Sequence, residues 1–178
     1  MAKNKVVTSR RGGIDEFSSI VYQTVTESGA NTLTFGQVQT GYGSLDKIAW
    51  IIHKIEWYMP TATKNLLLAN DDIIALALVT SNLLTSLSLA DASMIDLMEL
   101  QKHQETQVGY ELWPQPIIRN FTDLPGGGKL VLPYPLYIAI KGTSLASAGT
   151  GACRLYFTER ALESNEWMEL VQQTRLLQ

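Results

Sequence analysis

The chain has 178 residues, enough for one well-buried core and too few for two comfortable domains. Its 46% apolar content is ordinary for a globular protein, whereas 17% charged is low and fits a surface partly hidden by partners. A single cysteine, Cys153, excludes an intrachain disulfide, and two histidines in different segments leave a zinc site without its ligands.

The net charge of −3 conceals an asymmetry, since residues 1–13 carry Lys3, Lys5, Arg10 and Arg11 and no acid. The remaining 165 residues then hold 10 basic against 17 acidic side chains. A polar segment without aromatics buries too little apolar surface to offset its ordering entropy, so residues 1–13 are predicted to form a mobile basic arm able to meet a polyanion. A solubilising tail is the plainer reading. The arm leads into Gly12-Gly13-Ile14-Asp15 rather than an apolar stretch, so no signal peptide is expected.

Residues 17–27 are rich in β-branched and aromatic side chains and stop at Ser28-Gly29-Ala30-Asn31, which predicts a strand and a turn. Residues 32–40 predict a second strand, with a bulge at Gly36 where the alternation changes phase. Residues 48–59 are apolar on both faces at first, then alternate Ile55, Trp57 and Met59 against Lys54, Glu56 and Tyr58. That is a strand deeply buried at one end and half exposed at the other. After Pro60 and a loop over 61–71, residues 72–80 predict a buried strand. The uncharged stretch 73–90 is too polar in its second half to span a membrane and reads as strand followed by loop.

Over 91–104, Met94, Ile95, Leu97, Met98 and Leu100 leave Asp96, Glu99 and Lys102 outside, which predicts a short inserted helix capped by Asp91. Strands follow at 106–113, 116–121, 129–132, 135–141 and 151–159, separated by Pro114, the turn 124–128, Pro133 and the loop 142–150. In the last of them Cys153 alternates with Arg154 as a small buried side chain. The period then changes. Ser164 is expected to cap a helix whose apolar face is Trp167, Leu170, Val171, Thr174 and Leu177.

Chemistry-bearing residues are sparse. His53 lies inside an apolar strand, as a core or interface histidine does, and His103 lies on the polar side of the expected helix. Gly126-Gly127-Gly128-Lys129 lacks the hydroxyl residue and the following helix of a phosphate loop and reads as a permissive turn. Asn70-Asp71-Asp72 reads as a solvated loop rather than a calcium site, and Asn120-Phe121-Thr122 as a fortuitous glycosylation sequon. Trp50, Trp57, Trp113 and Trp167 read as core or protein interface, since no basic residue except Lys54 interleaves with the aromatics.

These elements divide the chain into a basic N-terminal arm (1–13), a β-sandwich (14–162) and a C-terminal amphipathic helix (163–178). The arm at Lys3, Lys5, Arg10 and Arg11, the turn 124–128, the strand 136–140 and the helix from Ser164 together resemble the single jelly-roll capsid proteins of small icosahedral viruses. The resemblance is architectural and spans most of the chain. It implies an all-β, eight-stranded jelly-roll sandwich with a short inserted helix and a C-terminal helix. It also implies a non-enzymatic subunit that assembles with itself into a shell in the virion, its arm on packaged nucleic acid and its last helix against a neighbour. No cofactor, metal, small-molecule substrate or membrane enters that picture. The arm is weaker than the dense arginine runs of many RNA-virus coat proteins, which leaves genome type open. Two other classes fit the strand pattern: a soluble β-sandwich binding module, such as a lectin-like or receptor-binding virion spike or fibre domain, and a cupin-like enzyme, which the missing metal histidines disfavour.

Overall fold

The computed structural model describes residues 19–43, 45–67, 72–101 and 116–176. The strand expected at 106–113, the arm residues Lys3, Lys5, Arg10 and Arg11, and His103, Trp113 and Leu177 lie outside the described residues.

Among the described residues nine strands and two helices follow in order: β1 (Ser19–Thr26), β2 (Thr34–Gln37), β3 (Ile48–Tyr58), α1 (Thr61–Lys64), β4 (Ile73–Val79), β5 (Met94–Gln101), β6 (Ile117–Asn120), β7 (Lys129–Val131), β8 (Tyr137–Thr143), β9 (Thr150–Ala161) and α2 (Ser164–Leu176). One sheet runs β1-β9-β3-β6, with β7 also on β3, and the other runs β2-β8-β4-β5. All pairs are antiparallel.

The pairing is nested. β1 lies beside β9, β2 beside β8, and β4 beside β5. β3 takes β6 along Lys54 to Trp57 and β7 along Trp50 to Ile52, so β6 and β7 are two pieces of one edge strand broken by residues 121–128. Phe121 N–H still donates to the His53 carbonyl at 2.7 Å, which keeps the break against β3. Gly126 and Gly127 turn it with φ of 90° and 76°, a region that favours glycine.

The sheets pack face to face. Trp50, Ile52, Ile55 and Trp57 of β3 and Cys153, Leu155 and Phe157 of β9 share one apolar cluster with Ile74, Leu76 and Leu78 of β4 and Ile138 and Ile140 of β8. Trp50 stacks on Phe157 with ring centroids 3.7 Å apart. The register of β3 on β9 slips between Ile52 and Lys54. This bulge at His53 moves the inward phase from Trp50 and Ile52 to Ile55 and Trp57, which accounts for the uneven alternation of the segment. The bulge expected at Gly36 is absent: Gly36 pairs in register with Ile138, and a Cβ there would make only ordinary contacts with the Thr24 carbonyl and Val25 of the other sheet.

The helix expected over 91–104 is instead strand β5. Its apolar residues serve two buried faces, Met98 and Leu100 toward the main core, and Met94 and Leu97 toward a second cluster with Ala75, Ala77, Val79 and Ala139. A register shift between Met94 and Asp96, opposite Val79 and Leu78, changes the phase so that Met94 and Leu97 fall on one face and Ile95, Met98 and Leu100 on the other, a spacing that imitates a helix. Asp91 closes a turn instead of capping, since its carboxylate accepts the Ser93 N–H at 2.8 Å and hydroxyl at 2.6 Å. The only inserted helix among the described residues is the one-turn α1, within the stretch read as a loop.

Polar groups close the rims. Buried Glu27 accepts the N–H groups of Gly142 (2.6 Å) on β8 and Gly149 (2.7 Å) just before β9, tying the end of β1 to both. On the opposite side Arg119 and Lys129 donate to the Leu97 and Ile95 carbonyls of β5, and Asp96 accepts the Trp57 indole N–H at 2.9 Å. Cys153 is fully buried, as its alternation implied, and burial pushes its thiol up to about 12.

At Gly128 an added Cβ would stand 2.6 Å from the Ile52 carbonyl oxygen and 2.7 Å from Ile51 Cγ2. Backbone there cannot give way as a side chain would, so Gly128→Ala is expected to lift β7 from β3. The expected loss is about 1–3 kcal/mol, measured as urea unfolding of the variant beside the parent.

Candidate subunit interface

Helix α2 is built from a short run of polar contacts at its start. Trp167 N–H donates to the Glu163 carbonyl at 2.9 Å, and Glu166 reaches back to the Glu163 N–H at 3.3 Å. Glu163 therefore occupies the capping position expected of Ser164, whose hydroxyl instead accepts from Lys47 Nζ at 2.7 Å. Arg160 pairs with Glu166 at 2.8 Å, and Leu162 N–H donates to the Lys47 carbonyl at 2.8 Å. These contacts fix where the helix leaves the sandwich, beside the start of β3.

Beyond that point its apolar side chains join neither core. Trp167, Leu170 and Val171 are half-buried, Met168 is exposed, and none belongs to either apolar cluster. Thr174 lies on the same helix, with its side chain, like Leu177, outside the described residues.

A second arrangement, which no spacing in the sequence announced, sits on the outward face of the β1-β9-β3-β6 sheet. Register aligns Ile20, Tyr156, Lys54 and Asn120 in one row and Tyr22, Arg154, Glu56 and Ile118 in the next. Glu56 is buried at the centre. It accepts from Lys54 Nζ (2.8 Å), Tyr58 Oη (2.8 Å) and Tyr156 Oη (2.9 Å), with Arg154 at 3.5 Å. Burial alone would raise the Glu56 pKa, but hydrogen bonds from Lys54, Tyr58 and Tyr156 and the Lys54 charge outweigh it and hold the carboxyl at about 2. The same bond raises Tyr58.

Lys54 Nζ lies 3.8 Å over the Tyr156 ring and Arg154 5.4 Å over Tyr58, so two basic residues, not Lys54 alone, interleave with the aromatics. The cations stand further out than the carboxylate: their side chains are 33% and 41% exposed against 9% for Glu56. The face thus presents positive charge, bordered by Ile20, Tyr22, Ile118 and Leu130, all exposed.

The alternation of Lys54, Glu56 and Tyr58 marked them as outward-facing. Their partners on β9 are about a hundred positions away, and nothing local links them. His53 is a structural residue at the bulge, where Nδ1 donates to the Gly127 carbonyl at 2.7 Å and Nε2 bonds Thr158 Oγ1 at 3.0 Å. Among the described residues no three His, Cys, Asp or Glu side chains gather as a metal site, and no helix is long and apolar enough to cross a membrane. No protein-family model matches this chain, and no curated protein matches its sequence.

Because the folded pKa of Glu56 is depressed, its contribution to stability is complete above about pH 4.5 and is lost as pH falls toward about 2. Glu56→Gln is expected to cost about 2 kcal/mol at pH 7. Chemical denaturation of parent and variant from pH 7 to pH 2 should show that difference shrinking below about pH 4.5.

Proposed function

We propose that this chain is a structural protein: a jelly-roll capsid subunit that assembles with itself into an icosahedral shell around a nucleic-acid genome. The observation carrying this reading is the nested strand order. With β6 and β7 counted as one broken strand, eight positions pair first with last, second with seventh, third with sixth and fourth with fifth. A long antiparallel hairpin wound into two face-to-face sheets pairs in that way, which is the double Greek key of a jelly roll. Lectin-like and cupin domains share that winding, so function has to be argued from surfaces. Here α2 contributes an apolar strip that joins neither cluster of its own sandwich, as an element does when it is completed by another subunit. The basic residues Lys3, Lys5, Arg10 and Arg11 supply the genome contact.

Leu170→Asp tests the assembly reading. A charge placed in an intersubunit apolar contact should abolish closed particles in electron micrographs while leaving the melting temperature of the sandwich within a few degrees of the parent. If the helix packs on its own domain, melting falls instead, because burying an unpaired carboxylate costs on the order of several kcal/mol. A parent protein that stays trimeric or monomeric across salt and pH would favour the binding-module alternative.

The arm is tested separately. If all four of its charges meet phosphates, the logarithm of nucleic-acid affinity should fall with the logarithm of salt at a slope of about −3 to −4. Deleting residues 1–13 should remove most of that slope in filter binding and leave unfolding unchanged. Equal slopes would eliminate the arm as a genome contact.

A further inference from the structure

We infer that the surface receiving α2 is the outward face of the β1-β9-β3-β6 sheet on a second copy of this chain. The inference rests on the reading of α2 as an intersubunit element and names its partner surface. Three observations converge on it. The helix carries acids beside its apolar strip, with Glu163, Glu166 and Glu169 exposed. The sheet face offers the opposite charge: Lys54 and Arg154 are both partly exposed, and the single carboxylate between them is buried and already saturated by its neighbours. Finally, the apolar side chains bordering these cations, Ile20, Tyr22 and Ile118, are each more than half exposed, and Met168 on the helix is nearly so. The other sheet is a poorer receiver, because Leu84 and Leu87 of its own β4–β5 connection already pack on its outward alanines.

Across such a contact the strip of Trp167, Leu170 and Val171 would lie on the apolar border while the helix acids face Lys54 and Arg154. A second copy satisfies both at once. A nucleic acid would use the two cations but would not cover their apolar border, while on the helix Arg160 already pairs Glu166 and leaves Glu163 and Glu169 as the exposed acids.

The test uses the full chain with single cysteines introduced at two exposed positions, Ile20→Cys in one preparation and Met168→Cys in another. Native Cys153 is buried and does not compete. Mild oxidation of the mixed preparations at assembling concentration should yield a disulfide-linked dimer at least tenfold above either preparation alone. Ile20→Asp should then reduce assembly at least tenfold with unchanged melting. Loss of assembly in Leu170→Asp together with normal assembly and no cross-link at Ile20 would overturn this placement while leaving the intersubunit helix standing. Normal assembly in both would remove that reading as well. Cross-linking of Ile20→Cys/Met168→Cys within a monomer at high dilution, or normal shells that lose nucleic acid in Arg154→Gln, would assign the face to the helix of its own chain or to the genome, and either result overturns the inference.

Discussion

Everything in this molecule hangs on the β3–β9 pair. β9 bonds β1 along one edge and β3 along the other, while β3 carries β9 on one side and the broken strand β6–β7 on its other. The two partners are about a hundred residues apart in sequence, so their loop-closure entropy has to be offset before most native contacts exist. What offsets it is the inward surface the pair creates, with Trp50 stacked on Phe157 and Ile55, Trp57, Cys153 and Leu155 around them. The outward surface of the same pair is the Glu56 network. One pairing therefore sets both the hydrophobic core and the charged face, and a register slip of one residue would exchange them.

The rims of the sandwich are closed by side chains rather than by backbone pairing. Arg119 and Lys129 reach from the broken strand to carbonyls on β5, and Glu27 spans the backbone N–H groups of Gly142 on β8 and Gly149 before β9. Charged donors over an edge strand also discourage its pairing with another chain, a device edge strands commonly need. Trp50 is the exception to polar satisfaction among the described residues, its indole N–H buried beside Phe157 without an acceptor.

The two-sheet architecture was legible because turn chemistry is local: the breaks at 28–31, 124–128 and 142–150 each precede or follow an observed strand. The uneven alternation of 48–59 likewise announced a strand of two characters, which the bulge at His53 accounts for. Misreading β5 as a helix has a general cause. A strand buried on both faces loses its period of two, and a bulge within it restores a spacing near that of a helix. Capping of α2 was displaced by one residue because Ser164 is held by Lys47, a tertiary contact no local motif encodes. The Glu56 network was out of reach for the same reason, since half of it lies on β9.

The sole thiol occupies the middle of this arrangement. Cys153 sits on β9 opposite Trp57 of β3, fully buried, with its ionisation suppressed to about 12. Thiolates are the reactive species, so in the folded chain this thiol is shielded from alkylating reagents and disulfide exchange. The same seclusion makes the residue an internal clock: reaction there requires β9 to part from the core, and the rate at which the thiol is captured measures how often the central pair opens.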